Sequence, residues 1–519
     1  MTLQKPSFTG NWFGCVVASV LGLSSIAHGQ APETSLTHRL QNLSTPSPTG
    51  DVQLVSHNLA YTPVFSDGEA ADAEADKDDV IKDLTERLEE MEDSWGDFQD
   101  KLAKDAADKK KKSSYKITGR VHFDYWNFMN NSPGIGFFEH DDPGEANFGT
   151  DPEDRWLFRR IRLEMAGNVP QGMRFRFQID FNNPSTPEYT DVYIGWDNLP
   201  CNQSLLIGSQ KRPMGMDHLN SSRFNVFIER PLAVETFNED ARRVGLAMYG
   251  HSDDDSKFWT YGVYNLENTS RSGRFIGDSV QGSFNCRYGG SPWYDETSGG
   301  RGYWHWAVSG MIAKPDGDAS DADTNSNDGR FRTRPLARSS SRWLNTDRIA
   351  GADWYQIAGV ESVLNIGSFQ MTGEYYSSWM QRDNTTAGTG PDVSFHGGYV
   401  FLSYFLTGEH VPYKRRAGVI DRVKPHDNFF LVDRINGRGK GYGLGAWLVG
   451  LRYDYLDLTD NDIQGGVGHS LTGALNWHWT AYSKLQTNLI YGEIDQHRDV
   501  GGFTSGDYWI YGMRFMIDF

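Results

Sequence analysis

The sequence predicts an all-β fold: a transmembrane antiparallel β-barrel of sixteen strands, preceded by a short N-terminal coiled-coil helix. Three observations carry that expectation. From Tyr115 onward, apolar and polar residues alternate with period two, and the apolar face is aromatic: Trp304, Trp306 and Val308 in one segment, Trp447, Val449, Leu451, Tyr453 and Tyr455 in another, Leu471, Leu475, Trp477 and Trp479 in a third. The segments are about ten residues long, which suits a tilted span of a bilayer, and short turns alternate with long loops rich in Gly, Asp and Asn. Finally, the chain closes on GMRFMIDF, with Met513, Phe515, Ile517 and Phe519 on one face and Arg514, Met516 and Asp518 on the other. In lipid an unsatisfied backbone group costs several kcal/mol, so a spanning sheet must close on itself. The last strand is therefore expected to pair with the first, with Phe519 at the lipid interface.

Composition points the same way. Of the 519 residues 38% are apolar and the mean hydropathy is -0.57. Beyond the N-terminus no run of about 18 uncharged apolar residues exists, which excludes spanning by helices. Many aromatics (16 Trp, 24 Tyr) and 56 Gly at such modest hydrophobicity fit a large β protein whose two faces meet different solvents.

Taken in order, residues 1–29 read as a signal peptide: Lys5 in a short basic region, the apolar run CVVASVLGLSSIA, and AHG before Gln30. Cys15 lies inside that run, unlike a lipoprotein cysteine. Residues 30–75 are polar with few aromatics and read as a flexible periplasmic leader. Residues 76–112 carry Ile81, Leu84, Leu88, Met91, Trp95, Phe98 and Leu102 at alternating spacings of three and four, the a/d seam of a coiled coil. About three heptads are marginal alone, so the segment is expected to associate with copies of itself. The competing expectation is a single amphipathic helix lying on another surface. Residues 113–519 form the barrel. Cys201, in a turn, and Cys286, read as part of a Gly-rich loop, are too few for a disulfide framework.

The clearest strand pair is RRIRLEMAGNVPQGMRFRFQIDF. Ile161, Leu163 and Met165 share one face, and Arg160, Arg162 and Glu164 the other; after the VPQG turn, Met173, Phe175, Phe177 and Ile179 oppose Arg174, Arg176, Gln178 and Asp180. Fifteen such strands can be counted. Single-chain bacterial barrels have even numbers, so a sixteenth is expected within the irregular stretches 314–350 or 409–442.

Four stretches resemble the phosphate-selective porins O and P of bacterial outer membranes. They are RIRLEMAGNVPQGMRFRFQIDFNN, LLIGSQKRPMGMDHLNSSRFNVFIERPLAVETFNEDARRVGLAMYG, YVFLSYFLTGEHVPYKRRAGVIDRVKP and GAWLVGLRYDYLDLTDNDIQGG. The resemblance covers roughly residues 115–519. It implies a sixteen-stranded homotrimeric barrel in the outer membrane, a third loop folded inward, and passive diffusion of small anions such as phosphate or polyphosphate along an Arg/Lys-lined path.

Parity alone places Arg120, His122, Arg160, Arg162, Arg174 and Arg176 opposite the aromatic face. In lipid each Arg would cost about 2–4 kcal/mol at the midplane, so these side chains are expected to line water. Lys211, Arg212, Arg223 and Arg230 flank or occupy residues 213–239, the expected constriction loop. Either set can serve anions or can pair with Glu164, Asp180, Asp124, Asp217, Glu229 and Glu235 as a structural network. The formal charge of -18 leaves a general non-selective porin open, as well as a barrel that merely tethers the envelope. No nucleophile motif accompanies His305 or His478, read as girdle histidines, so an enzyme is not expected. No metal or nucleotide motif occurs, and neither cofactors nor nucleic acid are expected.

Overall fold

The computed structural model describes residues 82–83, 85–99, 101, 112–183, 185–239, 241–267, 281–316, 328–385, 388–429, 432–433, 440–441 and 443–519. The expected signal peptide and the 30–75 leader lie outside these. The chain separates into two units, Met1–Glu89 and Glu90–Phe519. Within 76–112, helix is described at 82–83, 85–99 and 101, with every described side chain exposed.

Sixteen antiparallel strands close into a barrel. In chain order the strands begin β1 (Ser114–Asn131), β2 (Arg155–Val169), β3 (Met173–Asp180), β4 (Glu188–Leu199), β5 (Gln203–Lys211), β6 (Arg242–His251), β7 (Lys257–Asn265), β8 (Gly282–Tyr294), β9 (Gly302–Lys314), β10 (Arg332–Thr333) and β11 (Leu344–Asn345). They continue with β12 (Ala352–Ile366), β13 (Phe369–Arg382), β14 (Val393–Phe405), β15 (Tyr413–Lys414), β16 (Val419–Ile420), β17 (Val432–Asp433), β18 (Lys440–Gly441), β19 (Ala446–Asp460), β20 (Ile463–Thr480), β21 (Ser483–His497) and β22 (Gly506–Asp518). The two-residue strands pair as β10–β11, β15–β16 and β17–β18 in small sheets separate from the barrel sheet.

The alternation decides which way each side chain points. Trp156, Leu163, Ile194, Val263, Val360, Leu451 and Ile517 are exposed on the outside, while His122, Asp124, Asp454 and Arg514 are buried within. Among the described residues no helix is long and apolar enough to cross a membrane, so the strands are the spanning elements. As expected, β22 closes on β1, pairing Phe515 with Phe123 and Asp518 with Arg120. Phe519 completes the seam: Gly119 N donates to Phe519 O at 2.9 Å, and Phe519 N donates to Gly119 O at 3.1 Å. A Cβ on Gly119 would stand 2.4 Å from Phe519 Cζ, so only a glycine there lets the ring lie over the joint.

Three expectations need correction. The sixteenth strand is β8, in neither 314–350 nor 409–442. Gly282 and Gly290 thin its outward face, leaving Phe284, Cys286 and Tyr288 between them to show the period. Cys286 is thus a strand residue, and both it and Cys201 are free. His305 and His478 are buried on the inward face instead of at the girdle. His305 Nδ1 lies 2.7 Å from Tyr413 Oη and its Nε2 2.7 Å from Glu361 Oε1.

Described parts of the two stretches expected to hide a strand pack inside the barrel instead. From the 315–351 connection, Phe331, Leu336, Trp343 and Leu344 bury against Leu232, Val234 and Phe237 and the inward Tyr355, Phe395 and Leu456. That apolar core occupies one side of the barrel. The 406–445 connection, on the short-turn end, sends its β15–β16 hairpin inward, where Arg287 Nη2 donates to Gly418 O at 2.7 Å. The inward faces of β2–β6 are lined chiefly by polar and charged groups, with Leu206 and Ala247 among them.

Candidate functional site

The 212–241 connection folds into the lumen, as the family resemblance implied. It turns at Gly215 (φ +74), where a Cβ would meet the Tyr376 hydroxyl at 1.7 Å. Both ends of its path are fixed by the barrel wall. Lys211 Nζ donates to the carbonyls of His218, Leu219 and Asn220 at 2.7, 3.1 and 2.9 Å, and Asp217 N donates to Glu374 Oε1 at 2.6 Å. On the far wall Asn476 Nδ2 donates to Val226 O at 2.7 Å and Lys484 Nζ to Asn225 O at 2.9 Å.

Between this luminal loop and β1–β7 lies a cavity of about 470 Å³. Ten arginines and Lys211 line it, against two carboxylates, Glu164 and Asp191. Eight of the nine cations expected at the anion path lie here: Arg120, Arg160, Arg162, Arg174, Arg176, Lys211, Arg223 and Arg230. Arg212 does not. Its Nη2 donates to Glu239 O at 3.0 Å, and it borders a separate cavity of about 40 Å³ with Arg243 and Tyr355.

The cations differ in what their donors already hold. Lys211 has three ammonium hydrogens and spends all three on loop carbonyls, so it contributes charge but no free donor. Arg230 likewise binds the carbonyls of Asp217, His218 and Asn220. Arg162 Nε is on Asp180 at 2.7 Å, and Arg223 Nη1 reaches Asp518 at 3.3 Å. Arg120 Nη1 sits near the Ser221 and Ser222 hydroxyls at 3.3 and 3.2 Å. By contrast the Nε groups of Arg160, Arg174 and Arg176 are buried with no hydrogen-bond partner. The nearest acids to the last two are Asp197 at 3.2 Å and Glu164 at 3.6 Å, and Arg160 reaches only His122 Nδ1, at 3.4 Å. Of the acids expected in a structural network, Asp124 pairs with Arg514 at 2.6 Å.

Several basic groups escaped the sequence reading. Strict alternation points Arg159 at lipid, but a bulge pairs Phe123 with Phe158 and His122 with Arg160, and turns Arg159 inward too. Arg159 grips Glu229 with both arms, at 2.8 and 3.1 Å, and Arg514 reaches the same carboxylate at 2.8 Å. Burial opposes that charge, yet Arg159 and Arg514 hold the Glu229 carboxyl well below its ordinary range. On the long-loop end, Arg330, Arg332 and Arg342 converge on Glu239 at 3.8, 2.6 and 3.5 Å. Near Arg159 and Arg334, the Arg338 pKa is lowered to about 9 by Arg159 and by burial. The run GRFRTRPLARSSSRW was the available signal for this group.

A sequence profile described as phosphate-selective porin O and P matches residues 116–517. Porin O of Pseudomonas aeruginosa is 22% identical over 442 residues, covering 78% of this chain and 89% of its own. An uncharacterised protein of Caulobacter vibrioides is 25% identical over 341 residues, covering 65% of this chain and 62% of that protein. Among solved structures, a loop-deletion form of OmpT from Vibrio cholerae aligns over 78% of this chain and 99% of that one (TM-score 0.45, 11% identity). The outer-membrane channel DcaP of Acinetobacter baumannii aligns over 78% and 97% (TM-score 0.43, 10% identity). With a closed sixteen-stranded barrel, an inward third loop and a profile match over most of its length, the chain is an outer-membrane channel protein and belongs to the phosphate-selective porin O and P family.

Proposed function

We propose that this channel passes small anions by passive diffusion, inorganic phosphate or polyphosphate foremost, with the leader in the periplasm and three copies per assembly. The observation that carries the reading is the cavity's charge: ten arginines and Lys211 against Glu164 and Asp191. An oxyanion entering it sheds water, and planar guanidinium forks replace that water geometrically better than an ammonium does. Arg160, whose Nε has no partner, and Arg174 and Arg176, whose Nε atoms lie near Asp197 and Glu164 without an aligned hydrogen bond, are the groups assigned to face the solute. Lys211 and Arg230 hold the loop and supply field. Conduction needs several moderate sites in series, since one tight site would trap the ion. The family description supports phosphate as the solute class.

The test is the reversal potential of purified protein in a planar bilayer under a KCl gradient, repeated with phosphate. A chloride-set potential with current blocked by low phosphate supports the reading. An unselective potential without block replaces it with a general porin. Deleting residues 30–112 is expected to leave the conductance intact, which a tethering barrel with an incidental pore does not require.

A further inference from the structure

We infer that the leader helix is a docking surface for further copies of itself, joining protomers through a parallel coiled coil. Its seam is bare: Leu88, Met91, Trp95 and Phe98 are 56, 68, 61 and 50% exposed, and Trp95 and Phe98 lie 5.7 Å apart between ring centroids. Spacings of three, four and three place these four on one stripe.

The charges around the stripe select the occupant. With Leu88 and Trp95 at position a and Met91 and Phe98 at d, the acids Asp83, Glu86, Glu89, Glu90, Asp93 and Asp97 all fall at b, c or f, away from the seam. The flanking e and g positions hold Thr85, Arg87, Glu92, Ser94, Gln99 and Lys101. In a parallel pair, g of one helix faces the following e of the next. Arg87 then meets Glu92 of the other copy, Ser94 meets Gln99, and no like charges oppose. Among the described residues Arg87 pairs with Asp83, at 3.9 Å with both side chains largely exposed, so it is available to change partners.

A segment this acidic repels itself, yet its repulsion is kept off the only surface that copies would share. An anionic lipid surface is a poor occupant for the same reason: the acids that flank the stripe more widely would be pressed toward like charge. Isolated helices of this length are marginal in water, and burial of the four large side chains against their own kind supplies what local propensity does not.

Disulfide mapping on the full-length protein tests the inference. In a Cys201→Ser, Cys286→Ala background, Leu88→Cys and Met91→Cys place thiols in the seam, and Asp93→Cys places one on the outer face. Mild oxidation in native membranes is expected to cross-link the seam variants at least tenfold more than Asp93→Cys. Co-expressed Arg87→Cys and Glu92→Cys chains are expected to cross-link with each other more than either does alone. Equal cross-linking at all positions, or none at Leu88 and Met91, overturns the proposal. Seam cross-links without the Arg87–Glu92 preference overturn the parallel register. Bilayer conductance of the same samples reports on the channel separately, because neither outcome depends on what the pore passes.

Discussion

Neutralising Arg160 removes a cation whose donors are not committed to any carboxylate, and Arg160→Gln is therefore the sharpest probe of the anion path. An anion bound about 7 Å from a unit charge interacts with it by about 2.4 kcal/mol at an effective dielectric of about 20. Screening with a Debye length of about 8 Å leaves about 1 kcal/mol, or roughly fivefold in occupancy. The phosphate concentration that halves the chloride current is expected to rise by about that factor. Glu164 borders the same cavity, and Glu164→Gln changes the charge by the same amount in the opposite sense. It is expected to lower the half-blocking concentration about fivefold. Both substitutions should leave single-channel conductance in plain KCl within about twofold, because neither side chain holds the luminal loop. Lys211→Met removes an equal charge but also frees three carbonyls, so it is expected to alter conductance as well. If Arg160→Gln and Glu164→Gln shift the block in the same direction, or neither shifts it, cavity charge does not govern permeation and the reasoning fails.

Other consequences are equally direct. Glu229→Gln deprives Arg159 and Arg514 of a shared buried partner; breaking such a pair costs about 3 kcal/mol, so the thermal midpoint should fall and the open-channel current become noisier as the loop loosens. Gly119→Ala drives the Phe519 ring off the seam at about 1 kcal/mol, and combining it with Phe519→Ala should add almost nothing, a non-additivity readable by heat-modifiability on gels. In proteoliposomes a water-soluble maleimide is expected to label Cys201, in its turn, at least about tenfold faster than Cys286 on the outward face of β8; equal rates would remove β8 from the membrane.

How much of this was legible depended on which physical quantity each feature rests on. The barrel was readable because lipid outside and water inside impose a period of two that long aromatic faces display openly. β8 was not, because Gly282 and Gly290 dilute that face and its inward Ser283, Asn285, Arg287 and Gly289 resemble a loop. Arg159 was hidden by a bulge, although two consecutive arginines in a spanning strand cannot both obey alternation without one paying for lipid contact. Eight of nine candidate cations reached one cavity, since parity and the loop's place in sequence fix position. Their division of labour was beyond reach: Lys211 and Arg160 carry the same charge, and only coordinates tell which donors are spent.

The chain's acidity and the cavity's basicity are compatible for a reason that can be tested. Residues 66–112 carry 17 acids against 9 bases and residues 1–65 two of each, which leaves the barrel about -10 of the total -18. Many of those acids sit where they cannot govern an ion in the lumen: Glu493, Asp495 and Asp507 on the outward face at the long-loop end, and Asp253 and Asp254 in a turn. An exposed charge is screened within about 8 Å at physiological salt, whereas a charge in a narrow lumen walled by protein acts at contact range with its field focused. Glu493→Gln and Glu164→Gln each remove one negative charge and so change net charge identically. Glu164→Gln is expected to move the reversal potential under a KCl gradient toward the chloride limit, and Glu493→Gln to leave it within measurement error. Equal shifts would mean that permeation follows the charge of the whole molecule, and the assignment of selectivity to the eleven luminal cations would have to be abandoned.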